Sequence, residues 1–138
     1  MVTLLLSIHP RYAEMIMSGR KKVELRKKRI RDGVENLIIY STAPICKIVG
    51  SIEIVKVEVS SPQEIFSEYK DLIGIEKTEY FRYYEGHKSA IAILLGEPRP
   101  IKPRPLNDVV PRARPPQSYI YVSDEILNRI HSEPFFTT

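Results

Sequence analysis

The chain has 138 residues, 43% of them hydrophobic, which is enough for one buried core and too little chain for two ordinary domains. Its formal net charge of +4 is unevenly spread: residues 20–31 carry eight basic side chains against Glu24 alone, whereas residues 58–85 carry seven acidic against three basic. One cysteine, Cys46, excludes an intrachain disulfide and a thiolate metal cluster, and the apolar run Val2–Ile8 is too short for a signal peptide or a membrane span. The polarised charge suits one basic surface facing a polyanion. The expectation is a cytoplasmic protein with no membrane partner, with Cys46 a buried, reduced thiol.

Taken in order, Thr3–Ile8 reads as a buried strand, and His9-Pro10 ends it and opens a short helix with Pro10 in its first turn. Tyr12, Met15 and Ile16 share one face of that helix, and Gly19 is placed to close it as a left-handed cap. Val23 and Leu25 then alternate with Lys22, Glu24 and Arg26, the period of a strand with one buried and one polar face, so Glu24 and Arg26 point the same way. Lys21 has the parity of the core positions, where an unpaired ammonium is costly. It is therefore expected in the turn opened by Gly19 or on a bulge, able to join Glu24. The cluster has two readings of about equal weight: a charged strand edge that resists aggregation, or a site.

Asp32-Gly33 marks a turn, and Leu37–Tyr40 is expected to cross the middle of a sheet. Residues Ile48–Val59 alternate, with the apolar set changing faces near Ile54 and Val55, which predicts a bulge or sharp bend there. Ser61-Pro62-Gln63-Glu64 fits a capping box and predicts a helix over Pro62–Leu72 stopped by Gly74. A second helix is predicted over Lys77–Tyr84, capped by Gly86, with Tyr80, Phe81 and Tyr84 at core spacing. Ser89–Leu95 is almost wholly apolar and reads as a central strand. Seven prolines follow between Pro98 and Pro116, interleaved with Arg99, Lys102, Arg104, Arg112 and Arg114. Ile101, Leu106, Val109 and Val110 look like core anchors within this stretch. They predict an ordered, extended loop with an edge strand near Ile101 and a helical turn over Leu106–Val110. Ser118–Val122 returns to strand, Ser123-Asp124-Glu125 begins a last helix over about residues 123–132, and the tail from Ser132 is expected to fray.

About six strands with inserted short helices, and no βαβ alternation, give an α+β class: a single domain over residues 1–138, its core over about 3–122, built on a small curved sheet or barrel. His9, His87 and His131 show no metal-ligand spacing with one another or with Cys46, so neither a metal nor a cofactor is expected.

Gly19, Lys21, Glu24 and Arg26 fit the G-x-K-x-x-E-x-R signature, and the chain resembles the ASCH domains, relatives of the RNA-binding PUA domains. The order of elements is similar, and Ser7–Pro10 with Tyr12-Ala13 resembles the segment that precedes the signature. Pro116-Gln117-Ser118-Tyr119 looks like a recurrent feature of small archaeal and phage-type members described as transcriptional regulators. The resemblance implies a PUA-like β-pseudobarrel with a cleft beside the signature strand that receives RNA or a single modified base. Lys21 and Arg26 would contact phosphate or a base edge, and Glu24 would orient Lys21 or accept from an exocyclic amine. Arg26 as a mere structural partner of Glu24 weighs equally.

On this reading Lys22, Lys27, Lys28, Arg29 and Arg31, with Arg112 and Arg114, neutralise phosphates. Tyr40 and Tyr119 are candidate stacking platforms, although a core role suits each better, and Ser41, Gln117 and Ser118 are candidate edge readers. The expected partner is RNA, with DNA left open, and the expected role lies in RNA metabolism or in transcription or translation control. The alternative is a hydrolase with Lys21 and Glu24 as its catalytic pair. Some small ASCH proteins resemble N4-acetylcytidine amidohydrolases that use the signature Lys, a Thr at the position of Glu24 and a distant Glu; others are ribonucleases. Here Glu24 replaces the Thr, and Glu64, Glu68, Glu76, Glu79 and Glu85 offer no motif that singles out the distant Glu.

Overall fold

A computed structural model describes residues 1–132. The elements run β1 (Val2–Ile8), α1 (Pro10–Met17), β2 (Val23–Arg26), β3 (Asn36–Ser41), β4 (Lys47–Ser60), α2 (Pro62–Tyr69), α3 (Lys77–Tyr83), β5 (Ala90–Arg104), a 3₁₀ turn (Leu106–Asp108), β6 (Tyr119–Ser123) and α4 (Asp124–Ser132). The strands form one six-stranded sheet in the order β2-β5-β4-β3-β1-β6, with β1 and β3 parallel and every other pair antiparallel. This is the expected α+β class, and the sheet is consistent with a PUA-like pseudobarrel that stays open at one seam. Its two edge strands, β2 and β6, approach across that seam, where Arg26 donates from Nη1 to the hydroxyl of Ser118 at 2.9 Å.

Three apolar clusters hold the sheet. The largest joins Leu4, Leu6, Leu37, Ile39, Ile52 and Ile93 to Ala13 and Ile16 of α1. A second packs Ile65 and Tyr69 of α2, Tyr80 of α3 and its C-cap Tyr84 onto Val23, Leu25 and Ala92. The third seats Leu106, Val109 and Ile130 against Leu5, Ile38 and Ile48. Each fully buried aliphatic side chain contributes about 1.5–3 kcal/mol.

The expected bulge in β4 is present: pairing with β5 shifts register between Ile52 and Ile54 and again between Ile54 and Lys56. In β5 the expected central strand and the edge strand near Ile101 prove to be one continuous element of 15 residues. The prolines are accommodated because β2 pairs with Ile91–Leu94 and its approach ends at the Leu95 N–H, so that among the described residues the proline-bearing part of β5 has no ladder on that side. The helix expected over Pro62–Leu72 ends at Tyr69, and a turn carries the chain to Gly74. Its capping box is half formed: the Ser61 hydroxyl accepts from the Glu64 N–H at 3.1 Å, but the Glu64 carboxylate takes the Ser60 hydroxyl instead. Cys46 is exposed, contrary to expectation, because it lies in the turn between β3 and β4 at φ 53° rather than on either strand. The expected fraying of the tail concerns residues almost wholly outside the described ones. Among the described residues no helix is long and apolar enough to cross a membrane.

Candidate functional site

The site begins with the end of α1. His9 caps the helix, its Nδ1 accepting from the Arg11 N–H at 3.2 Å, and Pro10 fills the first turn. Gly19, at φ 81°, closes it as a left-handed residue, while Arg20 N–H and Lys21 N–H both return to the Met15 carbonyl. Lys22 and Val23 then donate to the Leu72 carbonyl, which ties the start of β2 to the turn after α2. Lys21 is thus in the turn, as expected, yet it is also buried, only 3% exposed.

Its ammonium is not left bare. Nζ donates to the Ile73 carbonyl, lies 5.5 Å from the centre of the Tyr12 ring, and stands 3.9 Å from Oε1 of Glu24. Glu24 is also buried, and its other oxygen accepts from Arg26 Nη2 at 2.7 Å. Arg26 bridges Glu24 and Ser118, and its Nε is buried without a hydrogen-bond partner. Burial pushes the Lys21 amine below the ordinary lysine value; Glu24 opposes the shift and Arg26 adds to it.

These groups lie along an open cleft of about 570 Å³ at the seam of the sheet. One wall is Ser7, Ile8 and His9 with Tyr12; the opposite wall is Ile75, Glu79, Arg82 and Tyr83 of the helical insertion. The Tyr12 hydroxyl donates to Glu79 at 3.1 Å, joining the walls. Burial raises the Tyr12 pKa, and the Glu79 carboxylate raises it further. Lys27 closes the rim with its ammonium 4.3 Å from the Tyr83 ring centre. The lining therefore carries four cations, Lys21, Arg26, Lys27 and Arg82, against Glu24 and Glu79, a balance that suits a phosphate.

The other residues singled out from the sequence are placed as follows. Lys22, Lys28 and Arg29 are exposed around the signature strand and its following loop, and Arg31 stacks over Tyr121 at 4.2 Å. Ser118 reaches the cleft through Arg26, with Gln117 exposed beside it. Arg112 and Arg114 are exposed but do not line the cleft. Tyr40, 4% exposed, takes the core role that suited it better than stacking, and Ser41 requires correction as an edge reader: at 2% exposed it lies with Tyr40 on a strand flanked by β1 and β4, outside the cleft, and presents no surface to a base. Tyr119 is half-buried against Tyr121 and the main core cluster, also outside the cleft.

The walls supplied by the insertion are what the sequence did not single out. Glu79, Arg82 and Tyr83 stand at i, i+3 and i+4 of α3, a shared helical face distinct from the Tyr80 and Tyr84 core face, and that spacing was the available signal. Of the five glutamates in the insertion, Glu79 is the one that lines the cleft. Among the described residues no group of three His, Cys, Asp or Glu side chains is placed to hold a metal ion.

Comparison with known proteins gives four findings. The ASCH domain family profile matches residues 6–102. An ASCH domain-containing ribonuclease of Zymomonas mobilis is 28% identical over 131 residues, covering 92% of this chain and 88% of that protein. A solved structure of ASCH from Zymomonas mobilis superposes with a TM-score of 0.85 at 26% identity, covering 92% of each chain. A 93-residue stretch is also 31% identical to part of the ATP synthase subunit alpha of Ureaplasma parvum, but the chain spans only 12% of that protein.

Proposed function

The chain belongs to the ASCH domain family, and from that premise we propose that it binds single-stranded RNA in the Lys21–Glu24–Arg26 cleft and cleaves it there. The observation that carries the reading is the buried Lys21 amine beside a buried carboxylate, in a cleft whose cations outnumber its anions. The full-length similarity to a protein named as a ribonuclease supports it. Lys27, Lys28, Arg29 and Arg31 hold the phosphate backbone by releasing counterions, and the cleft takes one splayed nucleotide.

The chemistry follows from which atoms are free. Oε2 of Glu24 is engaged by Arg26, so Oε1 is the oxygen available as a base. It removes the 2′-hydroxyl proton, O2′ bonds to the adjacent phosphorus, and the P–O5′ bond breaks with its electron pair leaving on O5′. Lys21, a better acid than an ordinary lysine because burial lowers its pKa, supplies the proton to O5′. Arg26 and Lys27 offset the charge that builds on the phosphoryl oxygens. The products are a 2′,3′-cyclic phosphate and a 5′-hydroxyl. Return of the proton from Glu24 to Lys21, across a gap now 3.9 Å, restores the site.

The test is a single-stranded RNA labelled at both ends, incubated with wild type, Lys21→Met and Glu24→Gln, beside a strand of the same sequence with 2′-deoxy sugars. Cyclic-phosphate products from RNA alone, reduced roughly 100-fold or more in either variant, are expected. Binding without cleavage would refute the chemistry and leave an RNA reader, the reading compatible with a regulatory role. Release of acetate from N4-acetylcytidine would favour an amidohydrolase in which Glu24 stands in place of the nucleophilic Thr.

A further inference from the structure

We propose that Lys21 is also an amine nucleophile, and that the cleft processes abasic nucleotides, whose missing base leaves an aldehyde at C1′. This rests on the proposed role of the cleft in holding a polynucleotide strand. Lys21 differs from every other lysine of the chain, all of which are exposed. Its nitrogen is not locked in a contact ion pair, because Glu24 Oε1 lies at 3.9 Å while Oε2 is held by Arg26 at 2.7 Å. Burial favours the neutral amine, the form with a lone pair to donate.

Chemistry selects the substrate. In an intact nucleotide C1′ bears the base and offers the amine no carbonyl to attack. Loss of the base opens the sugar to its aldehyde, so C1′ becomes an electrophile within the same cleft. The lining cations hold the flanking phosphates in either case.

The reaction balances without any oxidant or reductant. The neutral amine adds to C1′, forming the N–C bond while the carbonyl oxygen takes a proton; loss of water gives the iminium. Glu24 Oε1 takes a proton from C2′, the C–H electrons move into the C1′–C2′ bond, and collapse of this enamine breaks the C3′–O bond. The 3′-phosphate leaves with its electron pair. Water then hydrolyses the iminium, freeing Lys21 and an unsaturated aldehyde.

The test uses the full chain with single-stranded DNA and RNA oligonucleotides, each carrying one abasic site, and intact strands as controls. Borohydride is added to reduce the imine, and the adduct is mapped by peptide mass spectrometry. An adduct that needs both borohydride and the abasic site, maps to Lys21, and falls at least tenfold in Lys21→Met is expected. Glu24→Gln is expected to keep the adduct but lose at least tenfold in strand scission measured without borohydride. The two oligonucleotides tell whether the aldehyde is taken from DNA, RNA or both. Absence of an adduct from both, or an adduct spread over exposed lysines and the N-terminus, overturns the proposal in the wild type itself, whatever the stability of the variants. Cleavage of intact RNA is scored separately on the same protein, so failure of one reading leaves the other standing.

Discussion

Replacing Arg26 by Met tests whether the signature strand carries a buried charge network or a solvated edge. Glu24 is 7% exposed and loses its 2.7 Å partner in this variant. Orphaning a buried ion costs about 3–5 kcal/mol. Lys21, already 3.9 Å away, can close onto the freed carboxylate and return about 1.5–3 kcal/mol as a charged hydrogen bond, leaving a net loss of about 2 kcal/mol. For a chain of this size that is about 6 °C in Tm. The double variant Glu24→Gln/Arg26→Met leaves no buried carboxylate unpaired and is expected to be more stable than Arg26→Met alone. Urea denaturation of wild type, both single variants and the double variant at pH 7 gives the coupling directly. A cost below about 0.5 kcal/mol for Arg26→Met, with no coupling to Glu24, would show a surface pair and refute the network. Removing Arg26 also takes away one of the causes that lower the Lys21 pKa, so any activity that needs the protonated amine should persist to higher pH in this variant.

Three further outcomes follow from individual contacts. Lys21 has a folded pKa below the ordinary 10.5, so between those two values the unfolded chain binds more protons and stability rises with pH. The cost of burying the charge is fully present below the folded value, and wild type should gain on Lys21→Met as pH is raised toward 10.5; parallel pH profiles in paired urea titrations would refute this. Gly50→Ala would place a Cβ 2.7 Å from the Arg99 carbonyl oxygen and 2.9 Å from Pro100 Cα, both backbone atoms of the paired strand, at a cost of about 1–3 kcal/mol in urea denaturation. A loss within 0.5 kcal/mol would mean that β4 and β5 separate easily there. Lys28→Ala and Arg29→Ala should each reduce the slope of log affinity for single-stranded RNA against log salt by about 0.7, measured by fluorescence anisotropy, and an unchanged slope would remove that residue from the phosphate track.

Much of the fold is written in local pattern, because the capped turn at Gly19, the alternation of β2 and the change of apolar face in β4 each concern residues adjacent in the chain. The continuity of β5 is not, since whether prolines may sit in a strand depends on which edge is free, and that is set by the short partner β2. The same division runs through the site. Lys21, Glu24 and Arg26 were legible as a motif, but the burial of Lys21 was not: period-2 parity argued against a buried ammonium, whereas the carbonyl of Ile73 that receives it lies 52 residues away. The sequence places Tyr12 on one helical face with Ile16, but that its hydroxyl extends to Glu79, 67 residues on, is not local information. No local rule ranks Glu79 above its four acidic neighbours until α1 and α3 are set opposite each other.

The charged edge and the candidate site rest on the same residues of the signature strand. In the sheet order β2 and β6 are the unpaired margins, and among the described residues no ladder joins them. Closing that seam with backbone hydrogen bonds would complete a barrel and fill the cleft; leaving it bare would expose an apolar strand to other chains. Glu24 and Arg26 do neither. Their polar face on β2 is held by an ion pair, and a side-chain bond from Arg26 to Ser118 spans the gap, fixing its width without sealing it. A charged edge kept apart from its opposite margin is protected from aggregation, and the opening it leaves, beside a buried amine and under a basic loop, is the cleft proposed to take the RNA strand. Lys, Glu and Arg thus fall on a strand of only four residues and the turn before it, and the fold tolerates a buried ammonium there because the Ile73 carbonyl, the Tyr12 ring and Glu24 receive it.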